Sequence, residues 1–360
     1  MQLQQIKPFQ QARAGPVRQQ PVRVVCQAST STPAAPGRQF NPLLMGTVEA
    51  LFRFPPFFNA AAKNARGMIM KRAEALGLDW NSAMAELKAQ DWEARMKEVT
   101  NPNITYPAYY TQPFHAYSQG NLCWEAALEV TMAAKSVHAM VMDPAGKKMD
   151  PAGDAALRSS YSARMAESLD QLGVDRSTVK HIVDLGAATG LSSLELLRAF
   201  PQAHRVTGLD ASPHFLAVGK WEQERRVAAA GGAPREEEKL VFLHGLAEST
   251  GLEAGSQDLV SMCLVCHELP QAATKAIMKE AFRILRPGGA MCIMEMNPES
   301  AVFQRIFGNP FAYTAFKSTE PWLQEYIALD MPDALREAGF AEVVTRESTP
   351  RHKTVVAIKK

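Results

Sequence analysis

The sequence predicts an α/β protein: a Rossmann-like, doubly wound seven-stranded sheet whose last strand is antiparallel, preceded by an N-terminal helical cap. From residue 181 onward, short apolar runs rich in β-branched residues alternate with stretches of helical period, which is typical of a parallel sheet covered by helices. Two C-terminal strand patterns follow one another with no helix between them, which indicates one antiparallel strand. Before residue 150, by contrast, the apolar spacing is helical.

The composition is that of a globular protein with one large domain or two ordinary ones. Of its 360 residues, 46% are hydrophobic and 21% are charged, which is enough for a sizeable core. The net charge of +2 gives no argument for binding nucleic acid or an anionic membrane. No run approaches the roughly 18–20 apolar residues of a membrane-spanning helix, which predicts a soluble protein. Five cysteines, an odd number in a long chain, favour a reducing compartment.

Residues 1–38 differ in composition from the rest and are predicted to be a disordered transit peptide. The first acidic residue is Glu49, whereas Arg, Ser, Pro and Gln are frequent before it. An acid-poor, Arg- and Ser-containing segment without a long apolar core is typical of organelle transit peptides. Val22–Ser29 resembles a plastid processing site, with cleavage expected between Cys26 and Ala28. We therefore expect a chloroplast address; the alternatives are a mitochondrial address and a disordered tail without an address.

Residues 39–150 are predicted to form the helical cap. Apolar positions at three- and four-residue intervals predict helices over three segments: Phe58–Leu76, from Asp79 or Asn81 to Val99, and Asn121–Met142. Between the last two, Pro102–Gly120 lacks a regular period and is rich in aromatic residues. These rings either line an apolar pocket or tether an extended segment across the domain, and the sequence leaves both interpretations open.

Residues 155–360 are predicted to form the sheet domain, and a helix over Tyr161–Leu172 leads into it. The predicted strands are His181–Leu185, Arg205–Leu209, Lys239–Leu243, Asp258–Leu264, Ala290–Met294, Ala341–Arg346 and Thr354–Lys359. The predicted helices are Leu191–Phe200, Pro213–Ala230, Ala272–Leu285 and Glu320–Ala338. The polar stretch Gly231–Glu238 is interpreted as a solvated loop.

The stretch Val183–Glu195 has the pattern of a strand, a tight turn and the start of a helix. Its glycines, Gly186 and Gly190, let the backbone approach a ligand. Asp184 is expected to face that ligand and to suit a cationic or amine-bearing group. Asp210, at the end of the next strand, is placed to accept both hydroxyls of a ribose. The predicted ligand is therefore a nucleoside with a positive or amino-bearing tail, and the missing G-x-G-x-x-G pattern disfavours a nicotinamide-dependent redox enzyme.

At these residues the chain resembles the class I S-adenosylmethionine-dependent methyltransferases. The resemblance covers residues 155–360 and is strongest to the branch that contains the menaquinone and ubiquinone C-methyltransferases. Asp184, Gly186 and Gly190 match the first motif, D-x-G-x-G-x-G, and Ala188 stands at its middle glycine. The resemblance implies S-adenosylmethionine as the cofactor.

Later segments match further motifs of the same family in the same order. Gly208–Ser212 matches the second motif, whose acid binds ribose. Phe242–Glu248 resembles the third, with Leu246 at the acid that contacts the adenine amino group. Ala281–Gly289 resembles the helix and turn before the fifth strand. The cofactor contacts implied by the resemblance are Asp184, Gly186, Ala188, Gly190, Asp210, Ala211, Ser212, Leu246, Ala247, Glu248 and Val265.

Methyl transfer from a sulfonium is a direct displacement, so the protein mainly aligns the reacting atoms. A general base is needed only if the acceptor loses a proton. Candidates for catalysis after the fourth and fifth strands are His267, with its neighbour Glu268, and Glu295. The alternative for His267 is to order its loop or to stack on the adenine. Tyr110 and His115 in the aromatic segment are further candidates.

The sequence thus predicts a targeted, soluble methyltransferase that uses S-adenosylmethionine and no metal. Its acceptor is expected to be a small, partly apolar molecule, because the expected pocket walls are aromatic and Met-rich without a basic surface. Protein and nucleic-acid acceptors are disfavoured. The alternative is a non-catalytic, methyltransferase-like module that binds a partner, which Ala188 and Leu246 suggest by replacing two motif residues.

Overall fold

The computed structural model describes residues 55–115, 117–229 and 236–360. The predicted transit peptide, residues 1–38, and residues 231–235 of the predicted polar loop lie outside the described residues. Within the described ranges, no helix combines the length and the apolar character needed to cross a membrane.

Helices occupy most of the described residues before the sheet and also connect its strands. The helices before the sheet are α1 (Pro55–Ala75), α2 (Trp80–Lys88), α3 (Trp92–Val99), α4 (Trp124–His138) and α5 (Gly153–Gln171). The later helices are α6 (Leu191–Ala199), α7 (Pro213–Ala229), α8 (Gln271–Ile284), α9 (Ala301–Phe307), α10 (Pro310–Thr319), α11 (Leu323–Ile327) and α12 (Met331–Glu337). The aromatic stretch from 102 to 120 contains no helix or named strand among its described residues, as predicted.

The strands form one mixed sheet. They are β1 (His181–Leu185), β2 (Arg205–Asp210), β3 (Leu240–His244), β4 (Gln257–Cys263), β5 (Leu285–Met296), β6 (Glu342–Thr349) and β7 (His352–Ile358). The seven-stranded sheet has the order β3-β2-β1-β4-β5-β7-β6. Strands β1 to β5 are parallel, whereas β7 is antiparallel to both β5 and β6. The predicted fold class is confirmed.

Some predicted boundaries are wrong, for local reasons. The predicted helix from 79 to 99 is two helices, because the Asp91 carboxylate accepts from the Ala94 N–H at 3.1 Å and starts α3. The predicted helix Glu320–Ala338 is α11 and α12, with Asp330 as the cap of α12. The predicted long helix Asn121–Met142 is limited to α4. Helices α9 and α10 were not predicted.

Three apolar clusters hold these elements together. Helices α8, α11 and α12 pack on one face of the sheet, and α5 and α6 pack on the other. The third cluster packs the four helices α1, α2, α3 and α4 against α7. In it, Trp92 of α3 contacts Trp221 of α7 edge-to-face, with ring centroids 5.8 Å apart. The N-terminal helices are thereby packed beside the carboxyl ends of the parallel strands.

Candidate active site

A cavity of about 580 Å³ opens at the carboxyl ends of the parallel strands. This is the edge at which open α/β sheets bind ligands, and the volume is in the range of small-molecule sites. Its floor is formed by the turns after β1 to β4. Its walls come from α4 with the aromatic segment, and from α9, α10 and the turn before β7. Distant parts of the chain therefore enclose one space.

The turn after β1 presents backbone to this cavity. Gly186 and Gly190 have positive φ angles of 74° and 87°. A Cβ on Gly186 would lie 2.6 Å from a methyl carbon of Val265, and one on Gly190 would lie 2.9 Å from Phe242. Both positions therefore require glycine. Ala188, which replaces the middle glycine of the motif, also has a positive φ of 47°, a region that is strained for most L-residues.

Asp184 does not face the cavity, which corrects the expectation from the sequence. Its side chain is fully buried, and its Oδ2 accepts hydrogen bonds from the hydroxyls of Ser192 and Ser193 at 2.6 and 2.7 Å. Burial raises the pKa of Asp184, while these two bonds lower it. Because both serines lie in the first turn of α6, Asp184 fixes the start of that helix behind the turn.

Asp210 lines the cavity at the end of β2, as predicted. Its Oδ2 accepts from the Ala188 N–H and its Oδ1 from the Ser212 N–H, each at 2.8 Å. Each oxygen keeps a lone pair for a ligand hydroxyl. Burial raises the pKa of Asp210 to about 6, although the two amide bonds lower it. Ala211 also lines the cavity, whereas Ser212 is fully buried and donates to the Asn121 carbonyl at 2.6 Å.

The turn after β3 supplies the next part of the floor. Leu246, Ala247 and Glu248 all line the cavity, and the Glu248 carboxylate accepts a hydrogen bond from the Tyr109 hydroxyl. Val265 lies opposite, in contact range of the turn after β1. Most of the implied cofactor contacts line the cavity. The exceptions, which lie behind its wall, are Asp184, Gly190 and Ser212.

The aromatic segment crosses the ends of β2 and β3. Tyr106 stacks on Tyr110, with ring centroids 5.8 Å apart, and its hydroxyl lies 3.2 Å from Nε2 of His244. The other ring nitrogen of His244 accepts from the Asn101 N–H at 2.8 Å, which ties the segment to β3. Tyr110 lines the cavity close to Asp210 and lowers the pKa of its carboxyl group. Tyr106 therefore tethers the extended segment to the sheet, whereas Tyr110 lines the cavity on the side of Asp210.

His267 lines the cavity, and Glu295 lies behind it. The His267 Nδ1 is 2.8 Å from Oε1 of Glu295, and its backbone N–H donates to Oε2 at 3.2 Å. Burial alone would lower the pKa of His267, but the charge and hydrogen bond of Glu295 raise it to about 10. A ring that is protonated at neutral pH cannot accept a proton, so His267 is a cation in the cavity and not a general base at that pH. Glu295 is fully buried and positions this ring.

A second imidazole–carboxylate pair belongs to the same cavity. His115 has its Nε2 3.0 Å from Oε1 of the buried Glu320. Burial lowers the pKa of His115, but the charge and hydrogen bond of Glu320 outweigh this effect and raise it. His115 also has a positive φ of 52°, so its ring is held in place by a strained backbone and a carboxylate.

Glu268 lines the cavity in the vicinity of both imidazoles. Its Oε2 accepts from the side-chain amide of Asn121 at 3.3 Å. Burial raises the pKa of Glu268 to about 7, although the charges of His115 and His267 lower it. A carboxyl group with a pKa near neutrality has the property that a general base needs.

Two residues of the site carry no signal in the sequence. Glu320 and Arg351 arrive from segments that pack against the sheet only in the folded chain. Arg351 lines the cavity, as do Arg66 and Arg158, which corrects the expectation of walls without basic groups. Nothing in the local spacing of either residue distinguishes it from a surface position.

A family model described as "Methyltransferase domain" matches residues 182–289. This range begins in β1 and ends in β5, so that it includes the turn at Gly186, Asp210 and His267.

Relatives of the chain carry methyltransferase names. It is 30% identical over 178 residues to a demethylmenaquinone methyltransferase of Lactococcus lactis subsp. lactis. The matched region covers 45% of this chain and 66% of that protein. It is 27% identical over 164 residues to an uncharacterized methyltransferase of Synechocystis sp., which covers 45% of this chain and 67% of that protein. The chain thus spans about two thirds of the length of these relatives. A solved arsenic(III) S-adenosylmethionine methyltransferase from Chlamydomonas reinhardtii is 20% identical, over 57% of this chain and 73% of that one, with a TM-score of 0.38.

Proposed function

We propose that this chain, which carries a class I S-adenosylmethionine-dependent methyltransferase domain, transfers the methyl group of that cofactor to a small, partly apolar acceptor. The main support is that Asp210 and the positive-φ turn at Gly186 line the same cavity as His267 and Glu268. A carboxylate suited to ribose and a group suited to proton transfer therefore share one enclosed space, in which two reactants can be aligned.

The described residues fit this cofactor. Asp210 offers two buried oxygens to the ribose hydroxyls, and Gly186 lines the cavity with backbone alone. Leu246, Ala247 and Glu248 would contact the adenine. S-adenosylmethionine supplies, when bound, an activated methyl group on a sulfonium sulfur.

The wall of the cavity beside β4 and β5 is suited to deprotonate an acceptor. We assign Glu268 as the general base that accepts the proton of the acceptor. The pKa of its carboxyl group, about 7, lies near neutral pH. His267 and His115, each held by a carboxylate, stabilise the negative charge that develops on the acceptor. The charge of protonated His267 is balanced by Glu295, so ionised Glu268 leaves these three groups with one negative charge, which also suits a cationic cofactor.

The acceptor is small and partly apolar. The cavity of about 580 Å³ must hold the cofactor as well, which leaves room for a compact molecule. The apolar side chains of Phe303, Ile306 and Phe316 line the same cavity. The name of the Lactococcus relative, demethylmenaquinone methyltransferase, supports an acceptor with apolar character. The net charge of +2 disfavours a nucleic-acid acceptor.

The chloroplast is the proposed site of the reaction, on the composition of residues 1–38 alone. A fusion of residues 1–40 to a fluorescent protein should give a plastid signal. A mitochondrial or a diffuse cytosolic signal would contradict this location without affecting the proposed chemistry.

The proposed activity is tested by incubating the purified protein with methyl-labelled cofactor and a small-molecule extract of the source organism. Mass spectrometry should find a labelled product that disappears with Asp210→Asn and persists with Asp170→Asn, a change at an exposed ion pair with Arg176. The alternative of a non-catalytic partner-binding module, suggested by Ala188 and Leu246, predicts no labelled product from the wild-type protein.

A further inference from the structure

Arg351 stands beside the candidate catalytic wall. It lies in the turn between β6 and β7 and lines the cavity. The next residue, His352, pairs in register with Met296, and the Arg351 carbonyl accepts from the Asn297 N–H at 2.7 Å. Arg351 is thus fixed opposite Asn297 at the carboxyl end of β5, two residues beyond Glu295, the residue that holds His267.

Two further guanidinium groups gather around Arg351. The Nη2 of Arg351 lies 3.4 Å from the Asp143 carbonyl, and the Nη2 of Arg305 lies 2.6 Å from the next carbonyl, that of Pro144. Two cationic groups therefore meet on consecutive peptide units of one turn. Arg72 of α1 supplies the third guanidinium group. Burial lowers the pKa of Arg351 and the charge of Asp143 raises it, whereas the positive charges of Arg72 and Arg305 lower it further.

Among the described residues, no carboxylate lies within ion-pair distance of this positive charge, and the Asp143 carboxylate acts on Arg351 only from farther away. No ion pair joins Arg72, Arg305 or Arg351 to an acidic side chain there, and the buried Nε of Arg351 has no hydrogen-bond acceptor. The Asp143 carboxylate is engaged instead by the backbone N–H groups of residues 145, 147 and 148, at 3.1, 2.7 and 2.8 Å.

The other arginines of the cavity are neutralised within the protein. Arg66 pairs with Glu129, with 3.0 Å between Nε and Oε2. Arg158 pairs with Asp154, with 3.0 Å between Nε and Oδ2. Arg351 differs from both, since an unpaired, partly buried guanidinium beside apolar walls is costly unless a ligand brings the opposite charge.

We propose that Arg351 binds an anionic group, a carboxylate or a phosphate, at one end of the methyl acceptor. The proposal rests on the proposed function and specifies its substrate class as an amphipathic oxyanion. The planar guanidinium can hold either group through two parallel hydrogen bonds. The apolar body of the acceptor then lies along Phe303, Ile306 and Phe316, and its reacting end lies toward Glu268. The charge at Arg351 selects against neutral molecules of the same shape.

The test uses matched ligands that differ in charge. 1-Naphthoate and its neutral counterpart 1-naphthamide are titrated calorimetrically into the full-length protein saturated with S-adenosylhomocysteine, whose own binding is measured first. The wild type should bind the naphthoate at least about tenfold more tightly than the amide. Arg351→Ala should lose this preference and keep its affinity for S-adenosylhomocysteine. Arg351→Lys should keep part of the preference, because lysine retains the positive charge but cannot form two parallel hydrogen bonds to the anion.

Arg336→Ala is the control, because Arg336 is exposed and paired with Asp333 away from the cavity. It should preserve the tenfold preference. 1-Naphthyl phosphate in place of the carboxylate shows which oxyanion binds more tightly. Equal affinities for naphthoate and naphthamide, no binding of naphthoate, or a preference that survives Arg351→Ala would each overturn the arginine site. Failure of the wild type to bind S-adenosylhomocysteine would overturn the proposed function as well.

Discussion

Glu295 and His267 form a buried hydrogen-bonded pair, with 2.8 Å between Oε1 and Nδ1, where β4 and β5 reach the cavity. Glu295 also accepts from the Met296 N–H at 2.7 Å, so both carboxylate oxygens have partners. A fully buried carboxylate is costly unless a positive charge and hydrogen bonds compensate for it, and the imidazolium supplies both. With Nδ1 held in this way, Nε2 is the ring nitrogen available to a ligand.

Glu295→Gln should lower the pKa of His267 from about 10, because the charge of Glu295 is removed while the burial remains; the charges of Glu320 and Glu268 still raise it. Since Glu295 raises the folded-state pKa above the unfolded value, the pair contributes stability that is complete below pH 6.5 and is lost as pH rises through 10. The difference in Tm between the wild type and the variant should therefore be largest near pH 6 and decrease toward pH 10.

Glu299→Gln is the matched control for this measurement. Glu299 is exposed a few residues further along the chain and should give a Tm difference near zero at every pH. A Tm difference for Glu295→Gln that does not change with pH would contradict the charged pair.

Glu268→Gln should reduce kcat by about a hundredfold or more, the usual contribution of a general base. S-adenosylhomocysteine affinity should stay within a few-fold of the wild type, because Glu268 is assigned to the acceptor and this ligand carries no sulfonium charge. For the wild type, kcat should rise as pH passes about 7, where Glu268 loses its proton, and the variant should lose this rise.

The exposed Glu253 provides the control Glu253→Gln, which should leave kcat and its pH profile unchanged. A Glu268→Gln enzyme with wild-type kcat would remove Glu268 from the mechanism. In that case the acceptor reacts without losing a proton to this group.

Gly186→Ala should lower the free energy of unfolding more than Gly251→Ala does. Both glycines have nearly the same positive φ, 74° and 72°, so both variants carry similar backbone strain of about 1–2 kcal/mol. Only at Gly186 does the new Cβ also meet another residue, 2.6 Å from Val265, whereas Gly251 has open space. Chemical denaturation measures the difference, and the double variant Gly186→Ala/Val265→Ala should recover part of it. Equal losses at Gly186 and Gly251 would show that the turn tolerates the contact.

The sheet was predictable from sequence because each parallel strand is short, apolar and bounded by turn residues. His181–Leu185 was predicted without error, since burial on both faces selects a continuous apolar run. The start of β5 was predicted too late: Leu285 pairs with Gln257 before Pro-Gly-Gly, across an irregularity that only the neighbouring strand reveals. Helices α9 and α10 have only 7 and 10 residues, and helices of this length depend on tertiary packing for their stability.

The candidate site was predictable where one turn contains the signal. Asp210 lies at a strand end, and this position alone implies the edge of the sheet. Asp184 has an equivalent position but points away from the cavity, because the hydroxyls of Ser192 and Ser193 compete for its carboxylate. The pairing of His115 with Glu320 and the contact of Arg351 with the Asp143 carbonyl join segments that are distant in sequence, so no spacing rule could indicate them.

Calorimetric titration with S-adenosylhomocysteine tests the central claim most directly, with the wild type compared with Asp210→Asn and the control Asp170→Asn. We expect saturable binding with a Kd on the order of micromolar at pH 8, and binding at least about tenfold weaker in Asp210→Asn. Affinity should also weaken from pH 7 to pH 5, because Asp210, with a pKa of about 6, becomes protonated and can no longer accept from both ribose hydroxyls. No heat of binding, a Kd on the order of millimolar in the folded wild type, or an unchanged Kd in Asp210→Asn would contradict the claim.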